Sequence, residues 1–348
     1  MRFVKKFPFF ALAAWKNVRK IQRARLLNLK TGNSGRNGKA EDSMFENSDG
    51  SRRINRICIV GPGRLGASLA ARFGADRVSL VHPHPGRALA QLPAALQSVV
   101  IHDSMRAACA DATFDALVLC VGDAQIRTLV KEIAALPPID ALLIHCAGSL
   151  GREVFDEAAP DRAWRTAAAH PFQTFADRAS AAAFDGIAWG VEADAADRPT
   201  LARWIADLGG TAHFFEGPTD SGKALYHAAA VAASNVIVAS VELARALSAA
   251  ADIPAAKFLA PIMRQSLGNA LAALDADGGA LGVLTGPIVR GDVATIQRHM
   301  TALHDQPQLR RAFAAATRMT AELAHAQGGI SDANFNDILS TLRNFDED

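Results

Sequence analysis

Four residues able to do chemistry stand in one alanine-rich stretch, "SGKALYHAAAVAASN": Lys223, Tyr226, His227 and Asn235. Reducing a carbonyl takes a hydride and, at the oxygen, a proton or a positive charge. A lysine beside an apolar cleft loses basicity and can supply either. Lys223 lies in the first turn of the expected helix, where a cation opposes the helix dipole, so a plain surface role gains nothing there. His227 is four residues on and shares its helical face. Tyr226, about 300° round from Lys223, is read as pointing away and packing. Asn235 is read as a buried polar contact between helices. His170 and Ser149 join the candidates because each follows or ends an apolar, strand-like run.

Elements on both sides must position these groups. "RICIVGPGRLGASLAARFG" begins with a short apolar run suited to a buried parallel strand. Gly61, Gly63 and Gly66 then give G-x-G-x-x-G. The first glycine allows the tight turn, the second lets a pyrophosphate approach the backbone, and the third lets helix and strand pack closely. The phosphates would rest on the N–H groups of the helix N-terminus, so Pro62, Arg64 and Leu65 enter the cofactor site with the glycines. Gly74 is placed to end this helix. A second strand, "RVSLV", follows at the right distance.

The end of that second strand selects the cofactor. NAD-binding folds usually carry Asp or Glu there for the ribose hydroxyls. This chain reads "VHPHPGRA", with His82, His84 and Arg87 and no carboxylate. A guanidinium holds a 2′-phosphate that a carboxylate would repel, so NADP is expected over NAD.

Further apolar runs, "DALVLCVG" and "ALLIHCAG", alternate with the helix-like "DAQIRTLVKEIAAL"; "AWRTAAAH" and "GIAWGVEA" complete the sheet. Such alternation predicts an α/β fold with a Rossmann-like, doubly wound parallel sheet. Ligands of such sheets lie at the carboxyl ends of the strands. That rule gathers Val121, Gly122, Asp123, His145, Cys146, Gly148, Ser149 and His170 around one crevice, with His145 read as structural. After "HFFEGPTDSG" the chain reads as all helix: Lys223 to Ala250 has no Pro or Gly and predicts one long helix, and four further helical segments follow. Pro218, Asp292 and Ser331 fit helix starts. The expected organisation is a basic tail and linker over 1–53, a Rossmann-like NADP-binding domain over 54–216, and an all-helical domain over 217–348 for substrate binding and dimerisation.

Charge sharpens these boundaries. Residues 1–53 hold 13 Lys and Arg against 4 Asp and Glu, and the remainder 24 against 31. The folded body is therefore mildly acidic, which disfavours nucleic acid as a partner. The N-terminal apolar run Phe7–Trp15 is too short to cross a bilayer, and no membrane span is expected. The tail is read as dispensable or as translated from an upstream start, with a basic amphipathic surface helix as the alternative. Cys58, Cys109, Cys120 and Cys146 show no metal-type spacing and are expected as free thiols of a cytoplasmic protein. No close set of His and carboxylates points to a metal.

The Rossmann half, then "HPFQTFAD", "SGKALYHAAAVAASN" and "LTGPIVRGDVATIQRHM", resembles a bacterial family that joins a Rossmann-like domain to a C-terminal domain of unknown function (DUF). The resemblance runs from about residue 54 to 345. It implies a branch of the superfamily of β-hydroxyacid dehydrogenases, ketopantoate reductases and pyrroline-5-carboxylate reductases, with a helical domain like that of 6-phosphogluconate dehydrogenase and a homodimer built on it. β-Hydroxyacid dehydrogenases carry Lys and, four residues later, Asn after a glycine-rich turn. Here the turn is "GPTDSG", the Lys is Lys223, and His227 replaces the Asn. In those relatives the Lys protonates or polarises the substrate oxygen. His170-Pro171 resembles the His-Pro of prephenate dehydrogenases, where the His assists the substrate hydroxyl. Ser149 is expected to hold a substrate carboxylate, and Thr285 and Arg290 to face an anionic substrate. The implied activity is NADP-dependent hydride transfer to a small carboxylate-bearing keto substrate of ketopantoate type. Imine reduction of pyrroline-5-carboxylate type and a non-catalytic NADP-binding regulator are the alternatives.

Overall fold

A computed structural model describes residues 52–110, 114–178, 180–215, 220–276, 279–343 and 345. All of them fall within one compact unit, Asn47–Asp348. Of the expected tail and linker, Arg52 and Arg53 alone are among the described residues. Gly217 and Pro218 also lie outside them. The Arg52 N–H donates to Thr200 Oγ1 at 3.1 Å, and Ile54 is buried in the core.

Eight strands form one sheet in the order β3-β2-β1-β4-β5-β6-β7-β8. They are β1 Ile57–Val60, β2 Val78–Val81, β3 Val100–His102, β4 Ala116–Leu119, β5 Leu142–His145, β6 Thr166–Pro171, β7 Ala188–Ala193 and β8 Thr211–Phe214. β1, β4 and β5 are buried at every position. Their continuous apolar runs suit strands covered on both faces. Between β1 and β4 the chain reverses its direction of travel across the sheet, which opens a crevice at the carboxyl ends of both strands. The expected parallel sheet holds for β1 to β6. β7 runs antiparallel to β6, with His170 opposite Gly190 and Ala168 opposite Glu192. Here β6 returns through a loop and a short 3-10 turn, Ala181–Phe184, instead of a full crossover helix.

Helices cover both faces. On one, α1 (Arg64–Phe73) buries Leu69 and Phe73 against a cluster that includes Ile59, Leu80, Trp189 and Trp204. Full burial of side chains of this size contributes about 1.5–3 kcal/mol each. Gly74, at φ 100°, ends α1 and donates its N–H to Ala70 O. The short α2 (Pro85–Leu89) follows β2, and α3 (Met105–Ala110) follows β3. On the other face α4 (Asp123–Ala134) and α5 (Val154–Ala158) pack Ile126, Val130 and Phe155 onto Leu117, Leu119 and Leu143. α6 (Arg198–Asp207) supplies Leu201, Trp204 and Ile205 to the first cluster.

The second half is helical, as expected. α7 (Asp220–Val231) and α8 (Ile237–Ala250) are joined by a π-helical turn, Ala232–Val236, so the predicted single helix carries a bulge at "AASNV". Ser234 Oγ donates to Ala230 O within this turn. Asn235 is exposed, its Oδ1 accepting from Ser234, which corrects its expected burial. α9 (Ala255–Ala272), α10 (Pro287–Arg290), α11 (Val293–Ala302), α12 (Pro307–Ala326) and α13 (Asp332–Arg343) follow. Asp292 caps α11 by accepting from Thr295 N–H at 3.0 Å, and Ser331 Oγ accepts from Asn334 N–H at the start of α13, both as the sequence predicts. Ile296, Met300, Ile338 and Leu342 form a third, smaller core.

One feature of this half departs from an ordinary monomer. Leu225, Val238, Ile262 and Leu274 are 71%, 69%, 62% and 60% exposed. No membrane span is expected from the sequence, yet among the described residues the helical stretch Gly222–Ala250 is, by length and composition, long and apolar enough to cross one.

Candidate active site

The strand ends and the glycine-rich turn enclose a crevice of about 750 Å³. Gly61, Pro62 and Gly63 form its floor, with His82 at the end of β2 and Val121 after β4. Gly61 adopts φ 90°, and a Cβ at Gly66 would stand 2.2 Å from Gly61 O. A side chain at 66 would thus force the turn apart. A Cβ at Gly63 would meet nothing within 4 Å. Open space lies there before the N-terminus of α1, whose first turn has neither a side-chain cap nor an acidic residue. The N–H groups of an uncapped helix N-terminus with no acidic residue in its first turn, facing open space, fit a dinucleotide's phosphates. Arg64, Leu65 and Gly66 form the first turn of α1, and Gly122 precedes α4.

Arg87 is exposed on α2 and does not line the crevice. His84 is also exposed; its N–H donates to His82 Nδ1 at 3.0 Å, which fixes the loop after β2. The arginine that does line the crevice is Arg178, from the loop after β6. The sequence pattern gives no sign of it, because the contact joins segments far apart in the chain.

α4 is the wall between this crevice and a smaller cavity of about 240 Å³. Ala124, Gln125 and Thr128 face the crevice, and Arg127 faces the cavity with Ser149, Gly151, Glu153, Glu192 and Lys223. Ser149 Oγ hydrogen bonds to Asp123 at the start of α4, tying the loop after β5 to this wall.

Lys223 ends in this cavity, its side chain only 2% exposed. Its Nζ lies 3.7 Å from Glu192 Oε1, an ion-pair distance, and makes no hydrogen bond. The rings of Phe215 and Tyr226 lie 5.4 and 5.6 Å away, within range of a cation–π attraction. Burial pushes the Lys223 pKa down, and Glu192 opposes the shift. Glu192 is itself anchored, its Oε2 accepting from Arg152 N–H at 2.8 Å. Glu192 is absent from the sequence-based candidates; its one mark in the sequence is a lone carboxylate inside the apolar strand "AWGVEA".

The rings of His170, His227 and Tyr226 pack together. The imidazoles of His170 and His227 stand 5.7 Å apart, nearly perpendicular, and His170 and Tyr226 are 5.5 Å apart in the same relation. Gly148 makes this possible. A Cβ there would lie 2.2 Å from His227 Nδ1 and 3.0 Å from His170 Nε2. His227 Nδ1 is buried without a hydrogen-bond partner. Burial, reinforced by His227 and Lys223, lowers the His170 pKa to about 4.

Tyr226 corrects the expectation of simple packing. A step of 300° round a helix is also a step of about 60° backwards, so Tyr226 shares a side with Lys223. Its Oη hydrogen bonds with His170 Nδ1 and His170 O, each at 3.1 Å, and with Gly190 N–H at 3.2 Å.

His145 is structural, as expected. It is fully buried between Gly151 O, 3.0 Å from Nε2, and Ala147 N–H, 3.3 Å from Nδ1, and burial lowers its pKa to about 4. All four cysteines are free, and burial raises the Cys58 thiol to about 12. Thr285 and Arg290 are exposed around α10, and no described contact joins them to Lys223.

Residues 187–320 match the model of a family described as a domain of unknown function (DUF2520). This match begins one residue before β7 and ends in α12. No curated protein matches the chain. Among solved structures, a Bacteroides fragilis protein provisionally named as an NADP oxidoreductase is 20% identical, over 78% of this chain and 98% of that one, with a TM-score of 0.61. A Thermotoga maritima protein is 22% identical over 76% and 98%, with a TM-score of 0.54. A reductive aminase from Aspergillus terreus, solved with NADPH and ethyl-5-oxohexanoate, is 16% identical over 82% and 99%, with a TM-score of 0.57. The chain thus has the fold of the Rossmann-type oxidoreductases, with the DUF2520 match in its C-terminal part.

Proposed function

We propose that this chain is an NADP-dependent reductase that delivers hydride to the C=O of a small carboxylate-bearing keto substrate, of ketopantoate type. The observation that carries the reading is Lys223. It is a buried ammonium without a hydrogen bond, opening on a cavity one helix away from a glycine-lined dinucleotide crevice. The fold shared with NADP oxidoreductases supports it.

Gly61, Pro62, Gly63 and the first turn of α1 would hold the pyrophosphate, and His82 and Val121 the nucleoside ends. When bound, the cofactor supplies hydride to the carbonyl carbon, and the product alcohol needs one proton. Lys223 supplies positive charge or that proton at the oxygen. Its lowered pKa eases the transfer, and Glu192 keeps it charged before the reaction. Ser149 lines the same cavity, and its hydroxyl turns from Asp123 to donate to the substrate carboxylate. His227 presents an unpaired Nδ1 toward the substrate oxygen, and the neutral His170 ring accepts from the hydroxyl of the product alcohol. Residues 54–216 serve as the cofactor domain and residues 217–348 as the helical domain. A second copy of the chain covers the apolar side chains of α7 to α9, making a homodimer.

Imine reduction is the second reading, and the cavity walls favour it specifically. Glu153, Glu157 and Glu192 all line the cavity, against Arg127 and Lys223. An excess of carboxylate suits a cationic iminium better than a second anion.

Binding calorimetry with NADPH and NADH tests the cofactor. The reading expects NADPH to bind more tightly. Equal affinity, or none for either, contradicts it.

A further inference from the structure

We propose that Arg178, on the loop between β6 and the 3-10 turn, is the residue that recognises the cofactor's 2′-phosphate. This rests on the NADP reading and deepens it by naming the residue that sets the preference.

The glycine-rich turn and β2 normally supply that recognition, and their candidate here, Arg87, is exposed and outside the crevice. Arg178 is half-buried and lines the crevice with Gly63, His82 and Ala88. Two contacts hold it there. Its Nη1 donates to Gln91 Oε1, beyond the end of α2. Its backbone is pinned to α1 by the fully buried Ser68, which donates to Asp177 O at 3.4 Å and accepts from Ser180 N–H at 3.1 Å. Ser68 lies one turn into α1, so the helix that begins at the phosphate-binding turn also fixes the loop that carries the arginine. Ser180 Oγ donates to Asp177 Oδ1 at 2.8 Å and tightens the same loop.

The guanidinium therefore reaches the crevice from the α1 and α2 side, where the ribose next to β2 would sit. No carboxylate stands at the end of β2 to oppose a phosphate. Two carboxylates line the crevice: Glu132 on α4, and Asp103, which follows β3 next to His102, whose carbonyl accepts from His82 N–H at 3.0 Å. Asp103 accepts from Ser104 Oγ. A guanidinium held by its neighbours loses less freedom on binding phosphate and offers its N–H groups in a fixed fork.

Calorimetric titration of the full chain with NADPH and with NADH tests this, comparing wild type with Arg178→Gln, Arg178→Lys and Arg87→Gln. The expected result is a loss of about ten- to hundredfold in NADPH affinity for Arg178→Gln, with NADH affinity unchanged and a smaller loss for Arg178→Lys. The unchanged NADH affinity separates loss of phosphate recognition from general damage to the fold. If wild type prefers NADPH and Arg178→Gln keeps that preference, or if Arg87→Gln alone abolishes it, the assignment of Arg178 is wrong. Should wild type show no preference for NADPH, the NADP reading itself fails.

Discussion

The hydroxyl of Tyr226 is bonded to His170 twice, once at ring nitrogen Nδ1 and once at the backbone carbonyl, each at 3.1 Å. The same oxygen accepts from Gly190 N–H. One proton on Oη satisfies all three contacts in a single way. Tyr226 donates to the carbonyl, and Nδ1 carries the ring proton and donates to Oη. Nε2 is then left with a lone pair, beside Gly148 and His227. Tyr226 thereby selects the tautomer of a ring that burial keeps neutral.

Tyr226→Phe removes the partner of a ring nitrogen, a carbonyl and an amide. The variant is expected to lose about 1–3 kcal/mol of unfolding free energy and to let the His170 tautomers mix. Denaturant unfolding and imidazole nitrogen chemical shifts measure the two effects. Unchanged shifts at His170 would show that Tyr226 does not set the tautomer.

Stability should fall in mild acid. His145 and His170 have folded pKa values of about 4, below the ordinary 6.5. Between these values the unfolded chain binds protons that the folded chain refuses. The stabilisation is therefore complete above about 6.5 and declines as pH falls toward 4. For the fully buried His145 the decline is on the order of 2–3 kcal/mol, and His170 adds in the same direction. Urea midpoints at pH 7.5 and pH 5 report the change. A midpoint that does not fall at pH 5 contradicts the burial account.

Gly148→Ala should separate cofactor binding from turnover. The new methyl group would overlap His227 Nδ1 and crowd His170 Nε2, while the glycine-rich turn stays intact. NADPH affinity is expected to hold within about twofold, and turnover to drop by roughly ten- to hundredfold. Equal loss of both would place Gly148 in the cofactor site instead.

The apolar face of the helical half should be an interface between copies. Sedimentation of the wild type is expected to show a dimer, and Val238→Glu with Ile262→Glu a monomer. Both side chains are more than 60% exposed in the single chain, so neither change creates a buried charge within it. A monomeric wild type that stays in solution would contradict the dimer; extraction from cells only with detergent would assign Gly222–Ala250 to a membrane.

What the sequence disclosed follows from the range of each interaction. The turn Gly61–Gly66, the apolar strands and the Asp292 and Ser331 caps depend on neighbours a few residues away, and all were legible. Lys223 and His227 were legible as a pair through helical spacing. Glu192, Gly148 and Arg178 gain their roles from partners on distant strands and loops, which no local pattern records. Tyr226 takes its role from His170 and Gly190 on β6 and β7, which its step along the helix does not record. The π turn at Ala232–Val236 and the reversal of β7 were also hidden, since neither leaves a mark in local composition.

The central claim, hydride transfer assisted by Lys223, is tested most directly by following the loss of nicotinamide absorbance. NADPH would be offered with a panel of small 2-keto acids and cyclic imino acids, to wild type and to Lys223→Ala of matched NADPH affinity. The account predicts turnover of at least one substrate by the wild type and a loss of about hundredfold or more in the variant. Undiminished turnover in Lys223→Ala contradicts the assigned role of Lys223. No turnover across the panel would turn the reading toward an NADP-binding regulator.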